Sequence, residues 1–147
     1  MPDRTVFKSM THRHVLSVAP SATIHEAACQ MAAANCGSIL VVESGTVLTG
    51  ILTERDLVNR VLAKGLDANT TQVGSVMTHS PICVEPETSV VDALVIMIER
   101  GFRHLPVVIA KDKQILGVFS VRDAIPREIQ SALNVTEFNE KVNDAMG

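Results

Sequence analysis

Gly50-Ile51-Leu52-Thr53-Glu54-Arg55-Asp56 returns 67 positions later as Gly117-Val118-Phe119-Ser120-Val121-Arg122-Asp123. In both stretches an apolar strand-like run passes through glycine to a hydroxyl residue, and an aspartate follows one turn later. A hydroxyl answered three positions on by a carboxylate is a helix-start signature, in which each side chain bonds the other residue's backbone N–H. The same corner also suits a phosphorylated ligand. A helix start offers free N–H groups and the positive end of a dipole. The hydroxyl can donate to a phosphate oxygen, and a carboxylate can accept both hydroxyls of a ribose. Arg55 and Arg122 stand where a charge-assisted phosphate contact would form.

Working outward from this pair, the whole chain proves to be one unit written twice. A shift of 66 positions puts Val18 on Val84, Pro20 on Pro86, Thr23 on Ser89, Glu26 on Asp92, Ala27 on Ala93 and Met31 on Met97. Val41-Val42 falls on Val107-Val108, one residue then enters the second copy, and the match resumes at 67. Met10-Thr11 and Met77-Thr78 lead into the two copies. Each copy reads strand, helix, strand, strand, helix. Residues 15–18 and 82–84 are short strands closed by Pro20 and Pro86. Ile24, Ala27, Ala28, Met31 and Ala32 carry helical spacing, as do Val90, Ala93, Leu94, Met97 and Ile98. Strands follow over 39–42 and 47–52, and over 105–109 and 115–119, with Pro106 near a strand start or edge. Second helices are expected over 54–63 and from about Val121. The copies span 8–66 and 77–133, with 67–76 a polar linker and 134–147 an extension holding a short added helix. The fold class is therefore α+β: two βαββα repeats packed with pseudo-two-fold symmetry around a shared ligand cleft, their sheets covered by helices.

Composition narrows the function classes. Among 147 residues there are four Phe and no Trp or Tyr, so base-stacking platforms are disfavoured. A net charge of −3 supplies no basic field for nucleic acid or an anionic membrane. Residues 1–8 hold no apolar run of signal-peptide type, and no stretch is long enough to cross a bilayer, so a cytoplasmic protein is expected. Cys29, Cys36 and Cys83 lack metal or disulfide spacing and read as reduced, buried thiols. His12, His14 and His79 have no neighbours that complete a metal sphere, so no metal is assigned.

Together, both G-h-x-[ST]-x-x-D segments, both Met-Thr lead-ins, His104-Leu105-Pro106-Val107-Val108 and the two-fold repeat resemble a tandem cystathionine-β-synthase (CBS) domain pair, or Bateman module. The resemblance covers about residues 8–133. It implies binding of AMP, ATP, NAD or S-adenosylmethionine, with no cofactor required for function. Asp56 and Asp123 would then hold ribose hydroxyls, and Thr53 and Ser120 would touch phosphate. Gly37, Ser38 and Leu40, with Arg103, His104 and Pro106, would frame adenine and phosphates; Ile82, and Val15 or Leu16, would cover the purine. Arg103-His104 replaces Gly37-Ser38 in the second copy and adds two potential cations.

No P-loop, nucleophile elbow or zinc-protease motif is written in the chain, which reads as non-catalytic. A ligand-free dimerisation module and, more remotely, a nucleotide-processing enzyme using His104 and Asp123 are the competing readings. The duplication of hydroxyl, arginine and aspartate disfavours a bare spacer, which would need only the apolar positions. The apolar face of Leu57, Val58, Val61 and Leu62 predicts a homodimer, and the signal would pass to a protein effector of unknown identity.

Overall fold

A computed structural model describes residues 3–11 and 14–146. In chain order its helices and strands begin with α1 (Val6–Ser9), β1 (Ser17–Val18), α2 (Ile24–Ala34), β2 (Ser38–Glu43), β3 (Val47–Thr53) and α3 (Glu54–Asp56). They continue with β4 (Thr78–His79), α4 (Val90–Arg100), β5 (His104–Val108), β6 (Ile115–Ser120) and α5 (Pro126–Met146). The chain divides into two units. One holds residues 14–82 with 113–115; the other gathers the N-terminal segment with 83–112 and 116 onward.

In the unit built on 14–82, Thr23 caps α2 with a full reciprocal box, its hydroxyl accepting the Glu26 N–H while the Glu26 carboxylate accepts the Thr23 N–H. Ile24, Ala27 and Met31 then point one stripe inward. They meet Ile39 and Val41 of β2, Leu52 of β3, and Val61, all within one apolar cluster. The sheet runs β1-β2-β3-β4, with β1 parallel to β2 and the other pairs antiparallel. Between Val41 and Val42 the register slips, and the Thr49 hydroxyl donates to the Val41 carbonyl at this bulge. Gly50 pairs with His79 where β4 crosses β3. A Cβ there would strike the Met77 side chain and lie 2.8 Å from the Thr78 carbonyl oxygen, so only glycine fits.

The polar connector after this copy is built into the unit. Carbonyls of Thr71 and Ala68 accept the Ile24 and His25 N–H groups at 3.0 Å, satisfying two of the free donors at the start of α2. Val73 is fully buried in the same core.

The second unit places α4 against α1 and α5, with β5 and β6 forming a two-stranded ladder. Ser89 caps α4, and Val90, Ala93, Leu94 and Met97 are buried as the spacing requires. Phe119, Leu105, Val107 and Val6 are fully buried.

Several sequence expectations need correction. Residues 82–84 form no strand: Val84 alone makes a parallel bridge with Val107, donating to the Pro106 carbonyl and accepting from Val108. Extending this parallel ladder to Ile82 would need an N–H from Pro106, which has none. Pro106 thus joins β5 as an acceptor, the one ladder role open to it. No helix begins at Val121; a single 3-10 turn, Val121–Asp123, ends at Ala124 in extended conformation. The residue before a proline is disfavoured in the helical region, while proline itself suits a helix's first position, so α5 restarts at Pro126. It then continues unbroken to Met146, where a separate short helix from Asn134 had been expected. The thiols are not buried either: Cys29 and Cys83 are exposed and Cys36 is half-buried. No helix among the described residues is long and apolar enough to cross a membrane. The predicted apolar face splits, with Val61 buried, Leu57 packed on the core, and Val58 and Leu62 exposed. The helix continuing α3 is a π-helix, Leu57–Leu62, whose wider turn redistributes those side chains.

Candidate functional site

Thr53 ends β3 and caps α3. Its hydroxyl accepts the Asp56 N–H at 3.3 Å, and Asp56 Oδ2 accepts the Thr53 N–H at 3.0 Å. Ser120 ends β6 in the same way: Asp123 Oδ2 accepts the Ser120 N–H at 3.0 Å, and Ser120 Oγ accepts the Arg122 N–H at 3.3 Å. Both corners are therefore capping boxes, and the cap accounts for one oxygen of each aspartate. It leaves each hydroxyl hydrogen available to donate and each Oδ1 facing side chains.

Those outer oxygens have different neighbours. Asp56 is 7% exposed, and its Oδ1 lies 3.5 Å from Arg60 Nε. Arg60 is itself directed by donating from Nη1 to the Val76 and Met77 carbonyls at 3.1 and 3.3 Å. Asp123 is half-buried, and its Oδ1 accepts from the Thr11 hydroxyl at 2.9 Å and from the Thr11 N–H at 3.4 Å.

The strand before each corner adjoins it through equivalent bonds. Glu54 N–H donates to the Gly37 carbonyl at 3.0 Å, and Val121 N–H donates to the Arg103 carbonyl at 3.2 Å. Ser38 pairs directly with Thr53 across β2 and β3. Gly37 and Ser38 thus stand at the first corner, and Arg103 at the second. Arg55, Arg103 and Arg122 are exposed, and His104 is half-buried. Leu40 is fully buried with its N–H donating to the Leu16 carbonyl, and Pro106 is buried too, its carbonyl accepting from Val84. Val15 is exposed, while Leu16 and Ile82 are half-buried in the unit that carries the Thr53 corner.

Sequence reasoning missed the residues that hold the second corner. Arg4 Nε and Nη2 donate to Glu128 Oε2 and Oε1 at 3.0 and 2.7 Å, and Nη2 also donates to the Asp123 carbonyl at 2.9 Å. Glu128 Oε1 further accepts the Ile125 N–H at 2.9 Å, closing the start of α5. Hydrogen bonding from Arg4 holds the Glu128 carboxyl below its ordinary range against burial, which pushes it up. The repeated Met-Thr pair was a signal for Thr11, whereas nothing in the repeat pointed to Arg4.

Among the described residues no group of three or more His, Cys, Asp or Glu could hold a metal ion; His12 lies outside them.

The CBS domain family matches residues 7–63 and 73–127. This chain belongs to the CBS domain family. A CBS domain-containing protein from Arabidopsis thaliana is 42% identical over 106 residues, which are 72% of this chain and 19% of that protein. The chain therefore spans about a fifth of the length of such relatives. A crystal structure of a CBS-domain containing protein from Agrobacterium tumefaciens matches at 30% identity and TM-score 0.72, covering 81% of this chain and 94% of that one. A CBS domain protein from Pyrobaculum aerophilum, complexed with AMP, shares the fold at TM-score 0.77 and 24% identity, covering 90% and 99% of the two chains.

Proposed function

We propose that this CBS protein is a non-catalytic, cytoplasmic regulatory module whose corners take an adenosine-containing nucleotide of the AMP, ATP, NAD or S-adenosylmethionine class. The carrying observation is that both corners keep a hydroxyl donor and a carboxylate oxygen, Oδ1, that the closed cap does not use. Asp56 and Asp123 are assigned to ribose hydroxyls, Thr53 and Ser120 to phosphate oxygens, and Arg55, Arg103, Arg122 and His104 to phosphate charge. Gly37 and Ser38 bring backbone close to the ligand at the first corner. The Pyrobaculum relative's AMP suggests the ligand class, although at 24% identity it establishes only the fold. Signalling follows from a population shift, which requires the nucleotide to bind one conformation better than another. A protein effector would read that shift, and the exposed Val58 and Leu62 offer a surface for a homodimer.

Asp123→Ala is expected to weaken nucleotide binding by more than about tenfold, roughly 1.4 kcal/mol, with the protein still folded. Unchanged affinity by calorimetry would overturn the assignment. A ligand-free dimerisation module is separated from this reading by thermal unfolding: nucleotide at a hundredfold over its Kd adds about 2.7 kcal/mol to a true binder. Product formation on incubation with nucleotides would instead reveal an enzyme.

A further inference from the structure

Thr11 is the feature that neither the fold nor the family match explains. It lies 112 positions from Asp123 in sequence, yet its hydroxyl and its N–H both address Asp123 Oδ1. That oxygen is the one the corner's own cap leaves outward, because the cap uses Oδ2. The chain just before Thr11 is firmly held. Val6 donates to the Thr88 carbonyl at 2.7 Å, Val90 donates to the Arg4 carbonyl at 2.9 Å, and Val6, Ser9 and Met10 are buried. Thr11 itself is exposed. Met10 is thus the last buried residue of this stretch, and the exposed Thr11 meets Asp123 through two hydrogen bonds at the surface. Arg4 holds the Asp123 carbonyl separately, so releasing Thr11 leaves the corner's backbone in place.

We propose that Thr11 is an internal ligand of Asp123, displaced when a ligand presents a pair of vicinal hydroxyls to that carboxylate, so that the end of the N-terminal segment reports occupancy of the second corner. The proposal rests on the nucleotide reading above. The Thr11 hydroxyl imitates one ribose hydroxyl: a neutral donor at 2.9 Å on a charged acceptor. Binding exchanges the Thr11 hydroxyl bond and its longer N–H bond for two ribose hydroxyls, and the freed Thr11 takes a different conformation in each state. This is the differential interaction that a ligand-driven shift requires.

Thr11→Val keeps the shape and removes the donor. With the competitor gone, AMP affinity measured by calorimetry should rise about three- to tenfold, the worth of one such bond. Thr11→Ser, which keeps the hydroxyl, should bind like the parent. In the parent protein, saturating AMP should speed amide exchange at Thr11 while leaving Val6 protected. Equal or weaker AMP binding by Thr11→Val, with the parent binding normally, overturns the latch and leaves the nucleotide reading standing. If parent and variant both fail to bind AMP, ATP, NAD and S-adenosylmethionine, the nucleotide reading itself falls and the latch with it.

Discussion

The Thr53–Asp56 and Ser120–Asp123 corners carry the same motif and the same capping box, yet they are different sites. At the first, helix continues directly through Leu57–Leu62, so Asp56 is covered and Arg60 arrives one turn later to face its outer oxygen. At the second, the turn ends after Asp123 because Pro126 cannot serve within a continuing helix, and α5 starts afresh. Asp123 is left half-buried, and its outer oxygen is met by a hydroxyl from the far N-terminal segment. A motif of seven residues fixes the cap, whereas the residue a few places downstream decides how open the carboxylate remains. A cation held by two carbonyls is a harder competitor to remove than a threonine hydroxyl. Under the proposed nucleotide reading, the second corner is therefore the better acceptor for a neutral pair of hydroxyls.

The largest expected effect tests whether only the second corner depends on the N-terminal segment. Arg4→Ala leaves Glu128, 4% exposed, without its cation. Breaking a fully buried pair costs about 3–5 kcal/mol; with the Arg4 side chain 35% exposed, screening reduces this to about 2 kcal/mol, read by urea unfolding. The same pair sets a pH dependence. Because the Glu128 carboxyl is held below its ordinary value, its contribution is complete above about pH 4.3 and is lost as pH falls below that towards the depressed value. Arg4→Ala should flatten this acid limb, and an unchanged limb would show that the pair does not set it.

Next come the glycines, alike in sequence and unlike in cause. Gly50 has no room for a Cβ beside Met77 and the Thr78 carbonyl, while Gly117 has φ +146°, a conformation that side chains resist. Alanine at either should cost about 1–2 kcal/mol. Adding Met77→Ala should recover part of the loss at Gly50 and none at Gly117; equal recovery would mean one shared cause. The smallest effect separates the aspartates by stability. Asp56→Ala loses a cap and strands Arg60, costing about 1–2 kcal/mol, against about 1 kcal/mol or less for the more exposed Asp123→Ala. The reverse order would undo the contrast drawn between the corners.

Much of this architecture was legible because it was written twice. The stripes of α2 and α4, the apolar runs of β2 and β5, and both capping corners announce themselves through period and spacing. The missed parts depend on contacts distant in sequence. Thr5 to Met10 looks like a polar lead-in, yet Val6 and Met10 are buried and the backbone of Val6 and Phe7 bonds to Thr88 and Pro86, about 80 positions away. The strand expected at 82–84 shrank to one bridge because hydrogen-bond pairing depends on its partner, and Pro106 offers that partner only a carbonyl. At the candidate site, the motif identified the capping residues but not Arg60, Arg4 or Thr11, none of which belongs to it.

Because Val6 and Arg4 bond to Thr88, Val90 and Glu128, residues 4–6 must wait until residues 88–128 have been synthesised before they can settle. The unit built on residues 14–82 has most of its partners at hand long before then. Synthesis should therefore yield a half-assembled state in which the buried face of α1 is still exposed to solvent. A substitution that loosens Arg4 or Val6 would therefore trouble the unit holding residues 83–112 more than the residues that follow them directly in sequence.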